Sequence, residues 1–203
     1  MNERAPGEPG TPPLKRAAVL LDRDGTLIRD EGPLRAFRPD LLYPGVVEAL
    51  RDVTALGLPV ALVTNQGWVA AGALTFDDAA RATGGLAAYL RQAGVEVLDF
   101  AFCPHHPRVT TGPYAGPCAC RKPEPGLLLQ VARRHHLDLT RSFMVGDNLI
   151  DVEAGRRAGA RSALVLTGDG RRHLGHVPSG VPVLESVVDL PALLRREYRE
   201  GAQ

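Results

Sequence analysis

A chain of 203 residues, 44% of them hydrophobic and with a formal net charge of +1, suits a single domain with a full core. Its balanced charge points to neither nucleic acid nor an anionic membrane as an electrostatic partner, and no apolar stretch reaches membrane-spanning length. Three cysteines cannot all pair with one another, which argues against a disulfide framework.

Residues 1–16 are rich in Pro and Gly and lack an apolar signal core, so they read as a disordered tail before one domain, 17–203. Without an export signal the default compartment is a reducing cytoplasm. With no unexplained apolar surface stripe, a monomer is expected.

Ala17–Leu21 is an apolar run closed by Asp22, Asp24, Gly25 and Thr26, the pattern of a strand buried on both faces. On an extended backbone Asp22 and Asp24 project to one side and Arg23 to the other. The bland reading of these residues is a polar turn after a strand. Asp30–Tyr43 is irregular, with Pro33 and Pro39 inside it and Pro44 behind it.

Val46, Val47, Leu50, Val53 and Leu56 recur at helical spacing before Gly57, and Leu58–Val63 is a second buried strand ending in Thr64-Asn65-Gln66. Thr75-x-x-Asp78 is a capping box opening a helix to about Ala93, although Gly84 and Gly85 weaken it. Val95–Phe102 is the third strand, Cys103–Lys122 a Pro/Gly-rich loop and Gly126–His136 a helix. Ser142–Gly146 is the fourth strand, ending in Asp147. A helix over Asp151–Ala158 and a fifth strand over Ser162–Leu166 follow. Gly168–Gly180 reads as loop, Val181–Leu184 as a short edge strand, and Asp189-Leu190-Pro191 as the start of a final amphipathic helix.

Alternating strands and helices predict an α/β, Rossmann-like three-layer domain with a parallel sheet and right-handed crossovers. Ligands bind such sheets at the carboxyl ends of the strands, where Asp22/Asp24, Thr64/Asn65 and Asp147 all fall. No glycine-rich dinucleotide fingerprint and no phosphate-loop motif is present.

Asp22, Asp24, Thr64, Lys122 and Asp147 together suit phosphoryl transfer. A hard divalent cation, most simply Mg2+, would neutralise the carboxylates and bind a phosphate oxygen. Thr64 offers a hydroxyl donor and Lys122 a point charge for the other phosphate oxygens. One aspartate can attack phosphorus while the other manages protons.

Asp22-Arg23-Asp24-Gly25-Thr26, Thr64-Asn65-Gln66, Arg121-Lys122-Pro123 and Gly146-Asp147-x-x-x-Asp151 resemble the four ordered motifs of the haloacid dehalogenase (HAD) phosphohydrolases. The resemblance implies Asp22 as nucleophile and Asp24 as general acid/base. It implies Mg2+ held by Asp22, Asp147 and the backbone carbonyl of Asp24, and the phosphoryl group held by Thr64 and Lys122. Asp151 reads equally as a residue behind the catalytic ones or as a helix cap.

Cys103-Pro104-His105-His106 and Cys118-Ala119-Cys120 supply three thiolates and an imidazole in two pairs, the donor set of a closed, structural Zn2+ site. The alternative is a group of free cysteines. Such a site would staple the loop and place Arg121 and Lys122.

A HAD core with this loop resembles the D-glycero-D-manno-heptose-1,7-bisphosphate 7-phosphatase family, over about Val19–Thr167. The resemblance implies a sugar phosphate substrate, no large cap domain, His105 rather than His106 as the zinc ligand, and substrate contacts from Arg121, Lys122, Asn65 and Asn148. Histidinol-phosphate phosphatases share the zinc ligands and form the nearest alternative. An inactive zinc-stapled interaction module and a phosphotransferase are others.

The heptose family typically reads Thr-Asn-Gln-Ser-Gly-Ile-Ala-Arg-Gly, where this chain has Gly67, Trp68 and Ala71 in place of Ser, Gly and Arg. It also often shows Asp-x-Gly-Tyr, where this chain has Asp30-Glu31-Gly32-Pro33. Trp68 is either a platform for a sugar face or a side chain closing the loop onto the core, with packing favoured.

Overall fold

The apolar run at the start of the domain forms β1 (Val19–Leu21) in the middle of a six-stranded sheet in the computed structural model, which describes residues 16–200. Its neighbours are β2 (Val60–Asn65) and β4 (Phe143–Gly146). Beyond them lie β3 (Val97–Cys103) on one side, and β5 (Arg161–Val165) and β6 (Val183–Leu184) on the other. Every pairing is parallel and the order is β3-β2-β1-β4-β5-β6.

Successive side chains of a strand face opposite ways, and here the alternation sorts the apolar residues into two cores. Val19, Leu21, Val60, Leu62, Phe143 and Val145 pack with α1 (Val46–Ala55), α2 (Phe76–Gln92) and α6 (Leu190–Glu200). Ala18, Leu20, Ala61, Val63 and Met144 pack with α3 (Gly126–His135) and Ala154 of α4 (Leu149–Ala158). Helices therefore cover both faces, as the three-layer expectation requires. The disordered-tail assignment for residues 1–15 lies outside the described residues, and Arg16 forms a bridge with Leu137.

Local chemistry accounts for the element ends. Thr75 Oγ1 accepts from Asp78 N at 3.0 Å and Asp78 Oδ2 accepts from Thr75 N at 3.1 Å, completing the anticipated capping box. Gly84 and Gly85 stay in α2 for packing. A Cβ at Gly84 would stand 3.1 Å from Phe100 Cζ on β3, and one at Gly85 3.1 Å from Phe37 Cβ.

Strand ends shift by up to two residues from expectation (β1, β2, β3 and β6 the most), and two further differences concern helices. The helix anticipated at Asp151 begins at Leu149, because Asn148 is its cap and Asp151 the third residue of a second capping box. The anticipated loop Gly168–Gly180 contains a short helix, α5 (Gly170–His173), and a 3-10 turn over Leu174–His176. One turn of helix carries no apolar periodicity by which to recognise it.

Candidate active site

Three strand ends and one loop meet in a cavity of about 160 Å³ lined by Asp22, Thr64, Lys122, Asp147 and Asp151 among others. Asp22 follows β1, Thr64 is the last but one residue of β2 and Asp147 follows β4, so the central parallel pairings bring these side chains together. Lys122 comes from the long loop and is buried. Its Nζ donates to Asp22 Oδ1 at 2.5 Å and to the Val63 carbonyl at 2.8 Å. It also stands 2.6 Å from Asp151 Oδ1 as a close charge contact.

Asp22, Asp147 and Asp151 are all buried, with carboxylate oxygens within 4.8 Å of one another. One lysine neutralises one of these three charges. Burial pushes the Asp22 carboxyl up to about 8, held back by Lys122, and the Asp147 carboxyl up to about 7. Burial alone would push the Lys122 ammonium down, but Asp151 and Asp22 raise it above the ordinary lysine value. Two uncompensated buried carboxylates among hard oxygen donors fit a divalent cation such as Mg2+. The glycines around them leave no room for a side chain: a Cβ at Gly25 or at Gly168 would lie 2.1 Å from Asp147 Oδ2.

The carboxylate of Asp24 is outside this cluster. Asp22 and Asp24 both line the cavity and Arg23 does not, as alternation along an extended backbone requires, before the chain turns through Gly25 at φ 77°. Arg23 starts away from the cavity, and its long side chain reaches back to grip Asp24: Nε donates to Oδ1 at 3.0 Å and Nη2 to Oδ2 at 2.8 Å. Gln66 Nε2 donates to Asp24 Oδ2 at 2.8 Å and to Thr64 Oγ1 at 3.0 Å. Arg23 and Gln66 stand inside the quoted motifs without an expected role, and a buried arginine and glutamine leave no periodic signal of one.

Asp151 serves both roles left open for it. Its Oδ2 accepts from Asn148 N at 3.1 Å while its Oδ1 faces Lys122. Asn148 and Asn65 both line the cavity, and both also make local hydrogen bonds. Asn148 Oδ1 accepts from Ile150 N, and Asn65 brackets the backbone of Lys122.

The loop preceding Lys122 carries the four soft donors. Cys103 Sγ lies 3.5 Å from Cys118 Sγ and 3.0 Å from Cys120 Sγ, and the latter two are 3.3 Å apart. His105 Nδ1 is 3.6 Å from Cys103 Sγ and 3.5 Å from Cys120 Sγ. Donors of a tetrahedral Zn2+ site stand about 3.7 Å apart, so the set fits that ion. It is His105, and not His106, that turns to the thiols.

A second cavity of about 470 Å³ adjoins the first, sharing Asn65 and Trp68, and is lined also by Gly67, Ala71, His106, Arg108, Val109 and Arg121. Trp68 is 46% exposed, which corrects the preference for a packing role: its ring borders both cavities. A Cβ at Gly67 would meet His106 Cδ2 at 2.8 Å and Arg121 Nη1 at 3.1 Å, so a side chain there would displace these two. Burial, then Arg121 and Arg108, push the His106 imidazole down, so the two arginines supply the cavity's positive charge.

Residues 119–190 match the family described as HAD-hydrolase-like. The D-glycero-beta-D-manno-heptose-1,7-bisphosphate 7-phosphatase of Pasteurella multocida is 36% identical over 186 residues, which cover 89% of this chain and 97% of that one. The enzyme of the same name from Escherichia coli K12 is 32% identical over 183 residues, covering 90% and 95%. The chain belongs to this family. Its fold matches the D,D-heptose 1,7-bisphosphate phosphatase of B. bronchiseptica, solved with magnesium and phosphate, at a TM-score of 0.76 and 33% identity over 89% of this chain and 99% of the other. As a member of the heptose-bisphosphate phosphatase family it is a HAD phosphatase, a hydrolase of phosphate monoesters, and HAD phosphatases use Mg2+. Among the described residues no helix is long and apolar enough to cross a membrane.

Proposed function

We propose that this phosphatase removes the 7-phosphate of D-glycero-β-D-manno-heptose 1,7-bisphosphate, with Asp22 as nucleophile. The observation that carries the proposal is the pairing of two adjoining cavities. One holds Asp22, Lys122 and Thr64; the other carries Arg108 and Arg121 with no acid. A substrate with a phosphate at each end fits that arrangement. The phosphate to be cleaved lies at Asp22, the sugar passes Trp68, and the second phosphate reaches the arginines.

Asp22 attacks phosphorus, forming an aspartyl-phosphate as the bond to the sugar oxygen breaks. Asp24 gives a proton to the leaving oxygen and takes one from the water that then cleaves the aspartyl-phosphate. Lys122 and the Thr64 hydroxyl hold the phosphoryl oxygens, already positioned by Val63, Asp151 and Gln66. Asp22, Asp147 and the backbone carbonyl of Asp24 would hold Mg2+, with Asp151 beside them on Lys122, and the ion would supply the counter-charge that lets these carboxylates and a phosphate share one site. Cys103, His105, Cys118 and Cys120 would hold a structural Zn2+ that fixes the loop carrying Arg121 and Lys122. Thiolate ligands require reduced cysteines, which supports a reducing compartment, the cytoplasm.

The acid-free second cavity speaks against histidinol phosphate, whose amine would meet two arginines and no carboxylate. The assembled Asp22–Lys122–Asp151 cluster speaks against an inactive interaction module. Phosphorus NMR of heptose 1,7-bisphosphate incubated with the enzyme and Mg2+ tests the proposal. The 7-phosphate signal should disappear while the 1-phosphate persists; loss of the 1-phosphate first, or of neither, would refute it.

A further inference from the structure

Arg23 is among the largest fully buried side chains of the protein, yet it does not touch the phosphoryl-binding cluster. Its guanidinium is fixed from two sides. Nη1 donates to Thr83 Oγ1 on α2 at 2.9 Å, and Nε and Nη2 together hold both oxygens of Asp24. Gln66 joins Asp24 to Thr64 from the far side. A continuous chain of hydrogen bonds thus runs Thr83–Arg23–Asp24–Gln66–Thr64, from a packed helix to the end of β2.

We infer that Arg23, anchored by Thr83, is a positioning residue for Asp24, and that this clamp sets the efficiency of proton delivery to the leaving group. The inference rests on the acid/base role proposed for Asp24. A two-point fork fixes the plane of a carboxylate as a single donor cannot, and proton transfer in the transition state depends on that geometry. A solely structural ion pair would have no reason to engage both oxygens of a cavity-lining carboxylate. Nor would it need a buried helix hydroxyl to hold the cation in place. Expressed chemically, the clamp matters when the breaking P–O bond leaves a strongly basic alkoxide that needs the Asp24 proton. It matters little when the leaving oxygen is a stable phenolate.

The test compares kcat/KM, which reports formation of the aspartyl-phosphate, for a sugar phosphate and for p-nitrophenyl phosphate. It uses wild type, Arg23→Lys, Thr83→Val and Asp24→Asn, with thermal melts alongside. Thr83→Val keeps the side-chain shape and covers the case in which Arg23→Lys fails to fold. Arg23→Lys should lose at least about tenfold more on the sugar phosphate than on the aryl phosphate, and Thr83→Val a smaller loss in the same direction. Equal losses on both substrates in these two variants, with Asp24→Asn still discriminating, would overturn the clamp alone. An Asp24→Asn enzyme that loses equally on both substrates would remove the acid role, and the inference with it.

Discussion

Asn65 holds Lys122 by its main chain: Asn65 Nδ2 donates to the Lys122 carbonyl and Lys122 N donates to Asn65 Oδ1, both at 3.0 Å. The bracket ties the end of β2 to the loop that supplies Lys122. The amide expected to bind substrate thus sets the height at which Lys122 enters the site. Replacing Asn65 by Leu leaves two backbone groups unpaired, at a cost of about 1–3 kcal/mol. The Asn65→Leu enzyme should lose about tenfold to a hundredfold in kcat with little change in KM. Steady-state kinetics with a denaturant melt checks both.

Cys118→Ser removes one of four converging donors. Zinc content should fall with the melting temperature, and activity should follow because Arg121 and Lys122 are the next two residues after Cys120. Elemental analysis beside calorimetry decides it; full zinc occupancy in the variant would contradict the ligand assignment.

Chelator-treated protein should lose stability as pH rises. The Asp22 and Asp147 carboxyls stand at about 8 and about 7 in the fold, against an ordinary value of 3.8, so the folded chain binds more protons than the unfolded one between those values. Their contribution is fully present below the ordinary value and is lost as pH rises through about 7 to 8. Mg2+ needs the same groups ionised, so the rise in melting temperature on adding Mg2+ should be larger at about pH 9 than at about pH 6.

Arg108→Ala should raise KM for a sugar bisphosphate about tenfold while leaving KM for a monophosphate nearly unchanged. Arg108 reaches the second cavity and not the first. A parallel rise for both substrates would place the second phosphate elsewhere.

The buried strands were legible because each is an unbroken apolar run, and the Thr75 capping box because its two partners sit at a fixed spacing. The ends of β1, β2 and β4 announced the site for the same reason: polar residues stop abruptly where apolar runs end. The Arg23–Asp24 clamp was not legible, since period-two alternation gives the side from which Arg23 starts but not where its long side chain ends. Exposure of Trp68 was equally hidden, because it depends on how the 103–122 loop lies across the ends of the strands. Asp151 combines a cap with a charge contact, and a linear motif cannot separate two uses of one carboxylate.

The most direct test measures kcat/KM with Mg2+ for heptose 1,7-bisphosphate, fructose 1,6-bisphosphate and histidinol phosphate, with Asp22→Asn protein as the blank. Heptose bisphosphate should lead by orders of magnitude, with no turnover in the blank. Equal, weak rates on all three substrates would contradict the assigned substrate, and wild-type turnover by Asp22→Asn would contradict the assigned nucleophile.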